Sequence, residues 1–179
     1  MSAPAPSGTP MRERFWELPL EALTREEWEA LCDGCGRCCL HKLEDEDTGA
    51  VVETNVACRL LDTGTARCAN YRHRRALVPD CLRLTLRLVQ DIAWLPETCA
   101  YRRRAAGRTL PDWHPLLSGD PDGARRAGVS VAGRVVPEQL AGPLEQHVAD
   151  WTDLRHVDSA ADAQAGTGRR VKTGASRAA

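Results

Sequence analysis

Apolar residues recur at helical spacing in two stretches of the chain. Before the first stretch, Thr24 and Glu27 have the Thr-x-x-Glu form of a capping box. This pattern predicts a short helix over residues 25–31. The second stretch, residues 82–95, carries a broad stripe of leucine, isoleucine and valine that is typical of a buried helical face. Pro96 and Gly107 then mark the start and end of a further predicted helix.

Turn residues and alternating apolar positions predict small β-hairpins elsewhere. Residues 42–55 contain the turn sequence Asp-Thr-Gly at 47–49, with two valines on the returning strand. Val129 to Val136 alternates about Gly133, which predicts a second hairpin. The expected fold class is therefore α+β, mostly short helices with small β-hairpins in one compact, metal-stapled domain with disordered termini.

Composition changes towards both ends of the chain. The first residues are small, uncharged and rich in proline, and from Asp158 onwards large apolar groups are few. Such segments bury too little apolar surface to fold. We expect a disordered N-terminus at 1–13, a cysteine-cluster metal-binding domain at 14–140, a terminal helix at 141–157 and a disordered tail at 158–179.

The 179 residues include one Phe, two Tyr and five Trp, which is little aromatic material for a core. Bound metal can compensate, because its binding free energy becomes folding free energy. The net charge of −1 gives no general attraction for nucleic acid, and no uncharged apolar run approaches the roughly 18 residues that cross a bilayer. We expect a cytoplasmic, monomeric protein that binds neither membranes nor nucleic acid.

Half of the eight cysteines lie within residues 32–39, and none follows residue 99. The N-terminal residues do not resemble a secretory signal, so the thiols are expected to stay reduced in the cytosol. Metal ligation is therefore favoured over disulfides. The candidate ligands are Cys32, Cys35, Cys38, Cys39, Cys58, Cys68, Cys81 and Cys99.

Cys-x-x-Cys-x-x-Cys brings three thiolates from one loop, which suits a [4Fe–4S] cluster whose fourth ligand is remote. Zinc more often joins two separate Cys-x-x-Cys loops, yet the four solitary cysteines suit zinc equally well. Eight thiols can also form two centres, since neighbouring Cys38 and Cys39 point in different directions. His41, close to Cys39, and His114, in a loop, are additional candidate ligands.

Several segments together resemble one known family. They are LCDGCGRCCLHKLEDEDTG at 31–49, NVACRLLD at 55–62, VPDC at 78–81, WLPETCAY at 94–101 and WHPLLSGDP at 113–121. These segments resemble the YcgN group of the YkgJ-type CxxCxxCC cysteine-cluster proteins. The similarity extends from about Phe15 to Glu138, and all eight cysteines occupy matching positions.

The resemblance implies a zinc- or iron-chelating protein that uses its metal for redox chemistry, metal handling or structure. One alternative is a zinc-stabilised module that binds protein or nucleic acid. Another is a metalloenzyme, because flagellin lysine N-methylases share the CxxCxxCC element and are thought to carry an iron–sulfur cluster. The chain has neither a Gly-rich loop after a strand nor a Cys-x3-Cys-x2-Cys motif for S-adenosylmethionine, so the enzyme interpretation depends on analogy alone.

Overall fold

Short helices and short strands make up the regular structure of residues 10–151, the part of the chain that this computed structural model describes. The α-helices of this part have four to six residues each. They are α1 (Arg25–Ala30), α2 (Arg74–Leu77), α3 (Leu86–Asp91), α4 (Ala100–Ala105), α5 (Pro115–Ser118) and α6 (Gly123–Arg126). Single 3-10 turns occur at Phe15–Glu17, Leu20–Ala22, Arg37–Cys39 and Leu144–His147.

The strands of the described residues form a three-stranded sheet and a separate two-stranded hairpin. They are β1 (Leu40–Glu44), β2 (Val51–Ala57), β3 (Leu61–Asp62), β4 (Arg67–Cys68) and β5 (Val136–Pro137). β1 pairs antiparallel with β2, with Leu40 opposite Ala57, and β5 adds to β2 in parallel, with Val136 opposite Val56. β3 and β4 pair antiparallel. The predicted α+β class and the hairpin at 42–55 are confirmed.

The capping box before α1 is also confirmed. Thr24 Oγ1 accepts the N–H of Glu27 at 3.2 Å, and Glu27 accepts the N–H of Thr24 at 3.0 Å. Glu27 is buried and also receives the Arg12 side chain, with Nε 2.9 Å from Oε1. The packed part of the chain thus begins before residue 14, within the segment predicted to be disordered. The rest of that prediction, residues 1–9, lies outside the described residues.

The helix predicted over residues 82–95 is wrong in extent, because only Leu86–Asp91 is helical. Thr85 caps α3 by accepting the N–H of Leu88, while Leu84 O accepts the Trp28 indole N–H at 3.1 Å. The next helix, predicted from Pro96, begins only at Ala100, since the N–H of Cys99 first closes a turn onto Pro96 O. Tertiary contacts and caps therefore shorten both helices.

Two predictions for the C-terminal third are corrected. Residues 129–136 do not form a hairpin. Val129 and Val131 are buried in two different core clusters, and Val136 pairs with β2. The described part of the predicted terminal helix at 141–157 contains only the 3-10 turn Leu144–His147. Its remaining residues, and the tail predicted at 158–179, lie outside the described residues.

Three apolar clusters form the core of residues 10–151, and the cysteine loop lies where they meet. The first contains Leu31, Leu95, Cys99 and Tyr101, and Cys38 packs against it. The second contains Leu40, Ala57, Leu61, Ala66, Val131 and Trp151, and Cys39 packs against it. The third contains Cys35, Ala124 and Val129. Along residues 10–151, no helix is both long enough and apolar enough to span a bilayer.

Candidate metal centre

Two glycines shape the loop that carries the first four cysteines. Gly34 and Gly36 have φ values of +71° and +81°, a left-handed conformation that glycine adopts at little cost. Asp33 Oδ1 accepts the N–H of Cys35 at 2.9 Å, which tightens the turn between the glycines and α1. The 3-10 turn Arg37–Cys39 follows at once. The loop is therefore compact enough to present several sulfurs to one place.

One cavity of about 30 Å³ collects four of the thiols. Cys32, Cys35 and Cys38 come from the loop, and Cys99 comes from the start of α4. Asp33 lines the same cavity, and its other walls are formed by Gly36, Leu84, Leu95, Pro96, Ala100 and Tyr101. The structure thus places Cys99, rather than Cys58, Cys68 or Cys81, in one cavity with the Cys-x-x-Cys-x-x-Cys loop.

The surroundings of these thiols are largely apolar. Cys35 and Cys99 are 7% and 9% exposed, Cys38 is half-buried and Cys32 is exposed. Burial raises the pKa of Cys35 well above 9, and it raises the pKa of Cys99 to about 12 with a further contribution from the charge of Asp33. Buried thiolates therefore need a compensating cation, and a bound metal is the usual one.

Asp33 supplies a second sign that the cavity suits a cation. Its Oδ2 atom is buried and has no hydrogen-bond partner, although the residue is only 4% exposed. Buried carboxylate oxygens are normally paired, because an unpaired one loses the hydration it has in water. A cation beside the thiols would offset this cost.

The four remaining cysteines lie outside this cavity. Cys39 packs against the second core cluster, and Cys58, Cys68 and Cys81 are all half-buried. Among residues 10–151, however, no three Cys, His, Asp or Glu side chains are already grouped as a complete ion-binding site. The thiols share a cavity without forming a finished coordination sphere.

The two candidate histidines have other partners. His114 is fully buried: Nε2 is 3.2 Å from Leu31 O, and Nδ1 accepts the N–H of Leu116 at 3.2 Å. Burial lowers the pKa of His114 and so favours the neutral ring that this arrangement needs. His41 Nε2 lies 2.7 Å from Glu138 Oε2. Neither contact involves a thiol, and a ligand role for either histidine stays a prediction.

Lys42 and Arg37 lie beside the cysteine loop without lining the cavity, and the motif spacing does not single them out. Lys42 Nζ donates to Arg37 O at 3.0 Å and Leu40 O at 2.9 Å, and it lies 4.3 Å from the centre of the Trp94 ring. Burial lowers the pKa of Lys42, while the charges of Glu53 and then Cys38 and Cys39 raise it. The Arg37 side chain is 3% exposed and pairs with Glu53. A charged residue next to a cysteine motif is no specific signal, so only the fold reveals these contacts.

Comparison with known proteins defines the class first. Residues 31–100 match a family model described as a "putative zinc- or iron-chelating domain" and named CxxCxxCC. This segment contains all eight cysteines. The resemblance seen in the sequence is confirmed at this level, whereas membership of the YcgN group stays a prediction. No solved structure matches the chain.

Close relatives then identify the family. A UPF0260 protein of Rhizorhabdus wittichii is 61% identical over 137 residues, which cover 76% of this chain and 94% of that protein. A UPF0260 protein of Gluconacetobacter diazotrophicus is 58% identical over 138 residues, 76% of this chain and 86% of that protein. One from Rhodopseudomonas palustris is 49% identical over 158 residues, with 86% and 93% covered. The chain belongs to the UPF0260 family.

Proposed function

We propose that this protein binds a metal centre through Cys32, Cys35, Cys38 and Cys99. The observation that carries the proposal is the shared cavity: three thiols of one loop and a fourth from a distant helix line it together. The unpaired buried oxygen of Asp33 in the same lining supports a cationic occupant. The family description of zinc or iron chelation agrees with this chemistry.

The first candidate for the centre is a [4Fe–4S] cluster. Three cysteines spaced at i, i+3 and i+6 with one remote cysteine are the usual ligand arrangement of such a cluster. Iron also suits a set that consists of thiolates. When bound, the cluster would supply one-electron transfer, and the apolar walls and the nearby Lys42 ammonium would influence its potential.

A single zinc ion is the second candidate for the centre. Four thiolates complete the tetrahedron of a structural zinc site, and the thiols that line the cavity supply this number of ligands.

Binding would also reshape the site. Because no ready-made coordination sphere exists within residues 10–151, the thiols would turn towards the metal and lose their protons as it binds. Metal binding would then stabilise the fold by mass action, by about 4 kcal/mol at a free metal concentration 1,000 times the Kd. Four thiolates would leave no zinc position for a substrate, which favours a structural or redox role over the enzymatic alternative.

The experiment is anaerobic purification followed by iron, sulfide and zinc analysis, absorption spectroscopy and thermal unfolding with and without a chelator. A cluster gives broad absorption near 400 nm with matching iron and sulfide, whereas zinc gives a colourless protein with stoichiometric zinc. Cys99→Ser should lower the metal content, while Ala105→Ser, at an exposed position of α4, should not. A protein that stays metal-free, with a melting temperature unaffected by either metal, would refute the proposal.

A further inference from the structure

We propose that residues 71–87, called the rim segment below, form a docking surface for an acidic protein. The docked protein would lie beside the cavity that the four thiols line. Such docking goes beyond metal binding, because it concerns a macromolecular partner and depends on the charge, exposure and position of this one segment.

Positive charge is concentrated in the rim segment. It contains five arginines and a single acidic residue, Asp80, although the whole chain has a net charge of −1. Arg72, Arg75 and Arg83 are exposed, and their guanidinium groups form no hydrogen bond or ion pair within residues 10–151. Guanidinium groups in this state can bind carboxylates through two parallel hydrogen bonds. The segment therefore complements an acidic surface.

Large apolar side chains are exposed among these arginines. Tyr71 is 51% exposed, Leu77 44% and Leu82 38%. Helix α2 lies in the rim segment and buries none of its residues, so the described chain does not cover it. Exposed apolar groups surrounded by charge are typical of protein–protein interfaces, in which tyrosine and arginine are enriched.

Backbone and side-chain contacts order the rim segment before any partner binds. The N–H of Cys81 donates to Val78 O at 3.0 Å, which closes a β-turn with the two exposed leucines at its ends. The Arg74 guanidinium carbon lies 3.6 Å from the centre of the Tyr71 ring. Groups that are already ordered lose less conformational entropy when a partner docks.

The rim segment borders the thiol cavity at two places. The Tyr71 hydroxyl donates to the Glu29 carboxylate, and Glu29 O accepts the N–H of Cys32 at 3.5 Å. Further along the segment, Leu84 lines the cavity itself. Cys32 is the exposed member of the four thiols. A protein docked on the rim segment would therefore lie next to Cys32.

An acidic protein fits this surface better than a nucleic acid does. The exposed leucines need an apolar partner, which a phosphate backbone does not provide. Bases in single strands stack on free aromatic rings. Arg74 already covers one face of the Tyr71 ring, and Glu29 holds its hydroxyl group. Carboxylates together with apolar side chains, as a protein surface presents them, satisfy both features.

The test measures the binding of two synthetic peptides to the full chain, as purified, by fluorescence anisotropy. One peptide combines glutamate with leucine, and the other has serine in place of leucine. The leucine peptide should bind about fivefold more tightly, because it covers the exposed apolar side chains. Arg75→Glu should weaken its binding about tenfold. Arg125→Glu is the matched control, since Arg125 is exposed in another four-residue helix, α6, and the net charge changes equally.

A leucine variant separates apolar contact from charge. Leu77→Ser/Leu82→Ser should abolish the preference for the leucine peptide and leave the binding of the serine peptide unchanged. Both side chains are exposed, so the fold should tolerate the change. The chain is compared with its own variants at equal metal content, so the outcome does not depend on the proposed metal centre.

Several results would overturn the proposal. Equal binding of the two peptides to the native chain would remove the apolar contribution, and equal effects of Arg75→Glu and Arg125→Glu would remove the local one. A single-stranded RNA that binds more tightly than the leucine peptide would assign the surface to nucleic acid. A dimer in analytical ultracentrifugation that Arg75→Glu dissociates would assign it to a second copy of the chain.

Discussion

Gly36 shows how closely the cysteine loop is packed at the level of single residues. A Cβ atom added at this position would lie 2.7 Å from Val131 Cγ2 and 3.0 Å from Ala66 Cβ. The φ of +81° is itself unfavourable for any residue with a side chain. Gly49, in the β1–β2 turn, has a similar φ of +68°, but a Cβ there would meet nothing within 4 Å. A substitution at Gly49 would therefore incur only the cost of the left-handed backbone, whereas one at Gly36 would add the cost of steric overlap.

We predict that Gly36→Ala destabilises the fold by clearly more than Gly49→Ala. The Gly49 variant should cost about 1 kcal/mol from conformation alone, and the Gly36 variant about 1–3 kcal/mol more, because Val131 and Ala66 must move. Urea unfolding measures both, and metal analysis should show loss of metal only in the Gly36 variant. Equal effects of the two substitutions would mean that the loop adapts freely.

At the level of elements, the Glu27 carboxylate holds α1 in place by accepting hydrogen bonds from both Thr24 and Arg12. Glu27 accepts the N–H of Thr24 as part of the cap, and it accepts the guanidinium and the backbone N–H of Arg12. The hydrogen bond from the Arg12 side chain lowers the pKa of Glu27 to about 2, against the opposing effect of burial. Residues 12 and 24–30 are thereby joined, just before the cysteine loop begins.

This pKa predicts how stability depends on pH. A carboxyl group with a lowered folded-state pKa stabilises the fold above its ordinary pKa near 4.5, and it loses that contribution as the pH falls towards 2. Glu27→Gln should therefore be less stable than the native chain at pH 7, and the difference should shrink between pH 5 and pH 2. Urea unfolding across this range measures it.

Glu26→Gln is the matched control, since Glu26 is exposed on the same helix. It should change stability by less than about 0.5 kcal/mol at every pH. Any loss of metal in acid affects native chain and variants alike, so it cancels in the difference between them. A Glu27→Gln difference that stays constant down to pH 2 would contradict the assignment.

The limits of sequence-based prediction are visible in these same elements. Local signals identified α1 and the β1–β2 hairpin, since a capping box and a turn sequence act over a few residues. The apolar stretch at residues 82–95 contains a helix of only six residues, Leu86–Asp91. The helix begins after Thr85, which caps it, because Leu84 O is engaged by the Trp28 indole N–H. Contacts made by residues far apart in sequence are not visible in hydrophobic periodicity.

Some features of the candidate site can likewise be predicted from the sequence, whereas others require the three-dimensional structure. Residue type and spacing found all eight cysteines as candidate ligands, whereas the grouping of Cys99 with the loop required the cavity. His114 appeared as a lone loop histidine, and only the fold shows that both of its nitrogens are engaged by backbone groups. Lys42 and the unpaired oxygen of Asp33 also became apparent only in three dimensions.

For the whole molecule, residues 136–151 complete the core, beyond the predicted domain end at residue 140. β5 adds to the sheet, Thr54 forms a bridge with Val148, and Trp151 is 4% exposed in the second cluster. The Trp151 indole N–H donates to Thr54 O at 3.3 Å. The C-terminal part of the described chain thus covers the sheet whose strands β1 and β2 adjoin Cys39 and Cys58.

We therefore predict that Trp151→Ala destabilises the whole domain by about 3–5 kcal/mol, the usual cost of removing a large buried ring. Leu140→Ala, at a side chain that is 78% exposed, should cost less than about 0.5 kcal/mol. Thermal unfolding followed by circular dichroism measures both. A Trp151 variant as stable as the Leu140 variant would show that the sheet does not depend on this cover.

The order of these parts along the chain has a consequence for biosynthesis. Every cysteine precedes residue 100, whereas Ala124 and Val129, which cover Cys35, and Trp151 come later. Because a ribosome delivers the N-terminal part first, within seconds of the rest, the nascent chain exposes its full set of thiols before their cover has been translated. We expect the proposed metal to enter during that interval, without any opening of the finished protein.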